Sequence, residues 1–403
     1  MANVCLIATM DTKAAEARFL RARLERLGLT VTLVDTGILR PSPADAEISQ
    51  REVLGEQADE VAKVKTRSEA ADFMMRGLCR VVGELRAGGR LDAVVSLGGS
   101  GGTSMASAAM RTLPLGVPKV IVSTMASGNT LPYVQGEDIL LLNPVVDIQN
   151  LNFLTTNALS RAAAIVAAML AEPLAPQKER RAIAVSGFGV TTPCVDACVA
   201  RLEKAGYEVL VFHARGMSGG RIMEKMIAEG HFAGVLDLTT SEIADEVAGG
   251  IYAVGPQRLR TAAEKGVPCV VTPGALEMVN LGAEDTLTDA QKARVLYRHS
   301  PSSVKMRANA DEMRACARVF AERLSGSRGN VAVLAAKRGF SMVNREGQVF
   351  YDPQADQAFL DELTAVMPAQ VPVRVMDLHH NDEAFANACV DELLSLMAKK
   401  ERD

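Results

Sequence analysis

Short apolar runs alternate with amphipathic segments from the first residues of this chain to the last, and that alternation leaves few folds open to it. The pattern predicts a strand over 4–8, a helix opening at Asp11 and closing at Gly28, and a strand over 30–35. A long polar helical region follows over about 44–88, then strands over 92–97, 119–124 and 139–142 and a helix over 155–171. Strands over 182–186, 207–212, 234–238, 269–272, 331–334 and 373–376 continue the series. Strands separated by helices imply parallel sheets covered on both faces. Two prolines and four charges within 171–180 interrupt the order and read as a linker. The expected architecture is therefore α/β. It has two Rossmann-like subdomains with mainly parallel sheets, residues 1–172 and 181–403, joined by a short linker.

Composition narrows the function classes. Of the 403 residues 48% are hydrophobic and 23% charged, enough for large cores. Lys and Arg number 44 against 48 Asp and Glu, aromatic content is 4% and Trp is absent, so neither a basic field nor a stacking platform points to nucleic acid. Seven cysteines, an odd number without a Cys-x-x-Cys pair, suit a reducing compartment better than a disulfide scaffold or structural zinc, and no metal site is expected. No secretory signal pattern opens the chain, and no apolar stretch is expected to reach the roughly 18–20 residues of a membrane span. The expectation is a cytoplasmic protein with no membrane partner.

The most specific local signal is Gly98-Gly99-Ser100-Gly101-Gly102-Thr103-Ser104, between a strand and a helix. Glycines there admit positive φ and close approach of a ligand to the backbone. Free N–H groups and the positive helix end favour an anion, and phosphate above all. Thr103 and Ser104 are expected to add hydroxyl donors. The loop resembles the Gly-Gly-Asp-Gly-Thr loop of NAD kinases and phosphofructokinases, with Ser100 where those carry aspartate. No Gly-x-x-x-x-Gly-Lys-Ser/Thr pattern is present.

Further polar segments sit at strand ends, where open α/β sheets bind ligands. Asp11, Thr12 and Lys13 follow the first strand; Asp11 or Thr12 could cap the helix, whereas Lys13 opposes its dipole and would be relieved by a phosphate. Ser123, Thr124 and Gly128 form a third wall, and Asp147 follows a fourth strand. In the second half, Thr192 as N-cap and Pro193 at N1 start a helix that places Cys194 in its first turn. His213, Arg215 and three glycines, Gly216, Gly219 and Gly220, suggest a carboxylate or oxyanion cradle. Glu242 is a candidate general base and equally a plain helix-start carboxylate. His379 and His380 are adjacent late in the chain.

Several of these segments occur together in one family. Met10-Asp11-Thr12-Lys13, the loop 98–103, the segment 123–128, Gly189-Val190-Thr191-Thr192-Pro193-Cys194, Gly219-Gly220-Arg221-Ile222-Met223-Glu224 and the segment 238–245 resemble, in this order, a bacterial and plant family. That family includes the ATP-binding domain of the tomato mosaic virus resistance protein. The resemblance spans nearly the whole chain; residues 299–307 diverge from a more regular His-Asn-Pro segment of the family. It implies two α/β subdomains, ATP bound at the first, and a homodimer.

The expected function is an ATP-binding protein, with magnesium as a possible companion. Its loop 98–104 holds the phosphates, and the C-terminal half carries a second site for a small anionic metabolite. It could be an ATP-using enzyme of small-molecule metabolism. Two alternatives stand beside it: a nucleotide-gated regulatory module without turnover, and a metal-assisted lyase or hydrolase centred on His213, Glu242 and His380.

Overall fold

The computed structural model describes residues 1–402 apart from 39, 40, 44, 62–65 and 173–180, and of residue 67 the backbone only. The chain forms two compact units, Met1–Pro176 and Gln177–Asp403. The expected linker falls mostly on 173–180, outside the described residues.

The first unit is built on five parallel strands: β1 (Asn3–Ala8), β2 (Thr30–Asp35), β3 (Ala93–Gly98), β4 (Lys119–Ser123) and β5 (Leu140–Leu142). Their spatial order is β2-β1-β3-β4-β5. Pleating sends alternate side chains to opposite faces. Val4, Leu6 and Ala8 of β1 therefore join one core with Leu20 and Leu24 of helix Met10–Arg26 and Leu159 and Val166 of helix Phe153–Ala171. Cys5 and Ile7 join the other core, with Leu78 and Val82 of helix Arg67–Ala87 and Met105 and Ala109 of helix Ser100–Met110. Each buried Val, Leu, Ile and Met among them contributes about 1.5–3 kcal/mol of burial energy.

Two expectations change. The polar region 44–88 is not one helix: Gln50–Leu54 ends at Gly55, whose φ of +57° breaks it, and the main helix starts only at Arg67. Helix Phe153–Ala171, of 19 residues and mean hydropathy 1.4, does have the length and composition to cross a membrane, where the sequence reading saw no such stretch. One face packs on the core, with Ala158, Leu159, Ala162, Ala163 and Val166 buried against the sheet, while Phe153 and Met169 are exposed.

The second unit has a six-stranded parallel sheet of β6 (Ala182–Gly187), β7 (Glu208–His213), β8 (Gly234–Asp237), β9 (Cys269–Val271), β13 (Val331–Ala336) and β14 (Val373–Met376). A three-stranded antiparallel sheet of β10 (Met278–Leu281), β11 (Leu296–Ser300) and β12 (Ser303–Arg307) is inserted between β9 and β13. The order of the large sheet is β14-β13-β9-β8-β6-β7. Read from the β7 edge in order of appearance, that is 2-1-3-4-5-6, the order of the first unit with one strand added. The small sheet, not anticipated from sequence, packs Val279, Leu281, Val304 and Met306 into the core of the unit. The opposite parity of β12 brings Lys305 and Arg307 to its other face. All seven cysteines are free.

Candidate functional site

In an open parallel sheet, ligands bind outside the carboxyl ends of the strands where the order reverses. For β2-β1-β3-β4-β5 that point lies between β1 and β3. A cavity of about 300 Å³ opens there, lined by Thr9, Asp11, Thr12 and Lys13 after β1, by Gly99, Ser100, Gly101 and Gly102 after β3, and by Asp147. The volume is at the small end of the ligand-pocket range of about 300–1,000 Å³.

The glycine segment is less of a loop than its composition suggests. Gly98 ends β3, Gly99 is the N-cap, and Ser100, Gly101 and Gly102 already form the first turn of helix Ser100–Met110. None of these glycines takes a positive φ, so conformational freedom does not explain them. Room does: a Cβ on Gly101 would meet nothing within 4 Å and would project into open space at the cavity lining. The cap residue supplies no side chain to the helix start. The first-turn N–H groups have no acceptor within the helix, and no described residue supplies one. They carry the positive end of the helix dipole.

Around β1, the helix begins at Met10 with Thr9 as N-cap, so neither Asp11 nor Thr12 caps it. Met10 N donates to Asp35 Oδ1 at 2.9 Å, and Ile38 N to Asp11 Oδ2 at 3.0 Å, which ties the ends of β1 and β2 together. Lys13 interrupts the helix with φ −129° and ψ 24°, and among the described residues it forms no ion pair. Asp11, Thr12, Lys13, Gly99, Ser100, Gly101 and Gly102 are thus gathered at one cavity.

The other expected residues have different work. Thr103 is fully buried; its hydroxyl lies 2.8 Å from Gly99 O and 2.7 Å from Ser123 Oγ, while Ser123 Oγ accepts from Met125 N at 3.0 Å. Thr103 and Ser123 therefore fix the cap against the end of β4 and offer nothing to a ligand. Gly98 is buried in the strand, and Ser104, Thr124 and Gly128 are not among the residues lining the cavity. The anticipated third wall is absent because the chain after β4 turns at once into a short 3-10 helix, Thr124–Ser127.

In the second unit the equivalent crevice lies between β6 and β8, and the protein's own side chains fill it. Arg258, fully buried, donates from Nη2 to Asp237 Oδ1 at 2.7 Å and to Thr239 O at 3.0 Å, and from Nε to Glu242 Oε2 at 2.5 Å. Ser186 Oγ of β6 closes the gap to Asp237 Oδ1 at 2.7 Å. The expected anion cradle exists, but its anion is internal: Gly216 N and Gly220 N donate to Glu242 Oε1 at 2.7 and 3.2 Å. A Cβ on Gly220 would stand 2.3 Å from Glu242 Oε2, which is why glycine is needed there. Burial raises Glu242 and Glu224 above the ordinary carboxylate range, and the Arg258 charge opposes it. With both oxygens committed and no exposure, Glu242 is a structural carboxylate and not a poised base.

His213 and Arg215 lie outside that plug. The His213 ring stacks on Phe188 with centroids 5.1 Å apart, and Arg215 Nε donates to Tyr252 OH at 2.9 Å. A residue that sequence reasoning missed completes the group. Lys305, 5% exposed, has its Nζ 5.2 Å from the Phe188 ring, 5.4 Å from the Tyr252 ring and 2.5 Å from Asn280 Oδ1. Burial lowers Lys305 to about 8, helped by Arg215 and opposed by Asp245. Burial and the Arg215 charge also hold His213 below its usual value. The period-2 pattern Ser303-Val304-Lys305-Met306-Arg307 was the signal that could have found this strand and its lysine.

The remaining candidates are structural. Cys194 is buried, its thiol raised by a hydrogen bond with Cys198 and by burial, and the N-cap of its helix is Thr191, not Thr192. His380 is fully buried against Phe385 and held near 3 by burial; His379 faces Ser341 O at 3.0 Å. His213, Glu242 and His380 thus have separate surroundings, and among the described residues no three His, Cys, Asp or Glu side chains group as metal ligands.

Comparisons with known proteins bear on the whole chain. A UPF0261 protein of Clostridium tetani is 39% identical, covering 98% of this chain and 99% of its own length. The ToMV resistance protein Tm-1 of Solanum lycopersicum is 37% identical over 98% of this chain, which spans 56% of that longer protein. Among solved structures, a UDP-N-acetylglucosamine 2-epimerase (11% identity, TM-score 0.23, 99% and 97% of the two chains) and the E. coli ADP-heptose LPS heptosyltransferase II (11%, 0.21, 99% of each) are similar. Likeness at that level says nothing about ligand or reaction. Residues 2–175 match the N-terminal domain of the uncharacterised protein family UPF0261 and residues 180–397 match its C-terminal domain. The chain therefore belongs to that family, the same one that its motifs resembled.

Proposed function

We propose that the first unit binds a nucleotide by its phosphates, ATP above others, and that the second unit carries a separate site for a small anion. The observation that carries the first reading is the set of uncapped first-turn amides of helix Ser100–Met110 opening on a cavity between β1 and β3, beside Lys13. Helix starts of this kind favour phosphate. Asp11 and Asp147 at the same cavity would repel a bare polyphosphate, and they suit Mg²⁺, which is usually held by one or two carboxylates together with phosphate oxygens. When bound, the ion would neutralise phosphate charge; Lys13 and the amides orient the phosphates.

Calorimetry with ATP and Mg²⁺ tests the reading. Wild type should give a saturable heat that Gly101→Val and Lys13→Met lose. Equal heats from wild type and Gly101→Val would remove this helix start from the account.

The second site rests on Arg215, Lys305 and His213, three basic groups with no carboxylate paired to Arg215 or Lys305 among the described residues. Oxalate binding, weakened by Arg215→Met, is its test. Whether ATP is turned over separates an enzyme from a regulatory module. Of the cavity-lining residues only Asp11 and Asp147 could take up a proton, and Asp11 already accepts from Ile38 N. That favours binding without hydrolysis as a second reading, checked by phosphate release over a long incubation. We further propose a cytoplasmic homodimer, for which light scattering in solution and cell fractionation are the checks.

A further inference from the structure

Lys305 is held in a way that ion pairing does not explain. The antiparallel register of β10 and β12 sets it directly across from Asn280, and Nζ donates to Asn280 Oδ1. The Asn280 amide cannot turn: its Nδ2 donates to Asp245 Oδ2 at 3.1 Å and its backbone N donates to Asp245 Oδ1 at 2.5 Å. The oxygen is thus committed to the lysine. Two of the ammonium's three donors remain, and what faces it besides Asn280 is the two rings of Phe188 and Tyr252. The next charged or basic groups outward are Asp245, which accepts from Asn280 and favours the charged lysine, and, against it, Arg215 over Tyr252 at 5.3 Å and His213 on Phe188. Low exposure, helped by the Arg215 charge, outweighs Asp245 and favours a neutral, nucleophilic amine. Arg215 and His213 also supply a grip for an anionic substituent.

We propose that Lys305 condenses with the carbonyl group of a small anionic aldehyde or ketone, a 2-oxo acid or its phosphorylated equivalent, held at its charged end by Arg215. This rests on the anion site proposed above. The neutral Nζ forms a bond to the carbonyl carbon, and the π pair moves to oxygen, which takes up a proton. Loss of that oxygen as water leaves a C=N⁺ bond. The oxygen leaves with one proton from Nζ and one from solvent, so one neutral amine, one carbonyl and one proton give one iminium and one water, with no oxidant or cofactor. Asn280 is the positioning residue, since it holds Nζ between the rings.

The test uses the full chain and glyoxylate at pH 8, followed by borohydride and peptide mass mapping. Lys305 should carry the reduced adduct at least about tenfold faster than exposed lysines, because about half of it is neutral at that pH against under about 1% of an ordinary lysine. Oxalate, which lacks an aldehyde or ketone, should slow the labelling, as should Arg215→Met. Labelling of Lys305 no faster than that of exposed lysines, or labelling indifferent to oxalate, overturns the proposal on the wild-type protein alone. Oxalate heat without a Lys305 adduct overturns the imine and leaves the anion site standing; neither heat nor adduct overturns both.

Discussion

Arg258 Nε lies 2.5 Å from Glu242 Oε2, both side chains fully buried at the carboxyl edge of the second sheet. A guanidinium built into the chain holds the position that the first unit leaves open between β1 and β3. Asp237 and, at 3.6 Å, Glu224 share the same cation. Arg258→Met should therefore strand three carboxylates in the core and lower stability by about 3–5 kcal/mol. Denaturant unfolding measures it; a loss under about 1 kcal/mol would mean that the carboxylates had found other partners or solvent.

Two glycines of similar sequence context should respond in opposite ways. Gly220→Ala places a methyl against Glu242 and should cost about 1–3 kcal/mol. Gly101→Ala adds a methyl to open space on a helix and should leave the melting temperature unchanged or raised while weakening ATP binding. Thermal melts of both variants decide it, and a destabilised Gly101→Ala contradicts the geometry.

Glu277 gives a pH dependence with a definite sign. It is fully buried, donated to by Ser341 Oγ, and burial pushes it up to about 7. Its folded value lies above its unfolded one of about 4.3. The native state therefore holds a proton that the unfolded chain releases. That contribution is complete below the unfolded value and is lost as pH rises through about 7. Glu277→Gln removes the titration, so it should gain up to about 3 kcal/mol relative to wild type on going from pH 4 to pH 8. Unfolding midpoints of the two proteins at both pH values are the measurement; parallel curves would dispose of the argument.

Thr103 offers a test of how the cap is held. Thr103→Val removes the hydroxyl shared with Gly99 O and Ser123 Oγ and should lower stability by about 1–3 kcal/mol. ATP binding should weaken as well, through displacement of the helix start. Calorimetry and melts on one preparation separate the two effects.

The large sheets were legible because each strand is an apolar run that periodicity finds: 30–35 and 373–376 coincide with β2 and β14. The small sheet was not, since β10 to β12 mix buried polar residues such as Asn280 and Lys305 among the apolar ones. For the first site, the position of Lys13 and the glycines after a strand was enough to bring them together. The hydroxyls misled, because a Thr or Ser looks the same in sequence whether it faces a ligand or, like Thr103 and Ser123, another part of the backbone. In the second unit the cradle glycines were visible but their occupant was not. Glu242 reaches back 22 residues to Gly220, and Arg258 sits in a Gly-Pro-Gln-Arg stretch with no periodic signal at all.

The repeated strand order has a thermodynamic consequence. A tethered counter-ion is present at every concentration, so the second unit's folding free energy owes nothing to small molecules at its crevice. The first unit's should climb with the logarithm of free nucleotide above its dissociation constant. If the first unit binds nucleotide as proposed, hydrogen exchange over a nucleotide series would show added protection in that unit's strands.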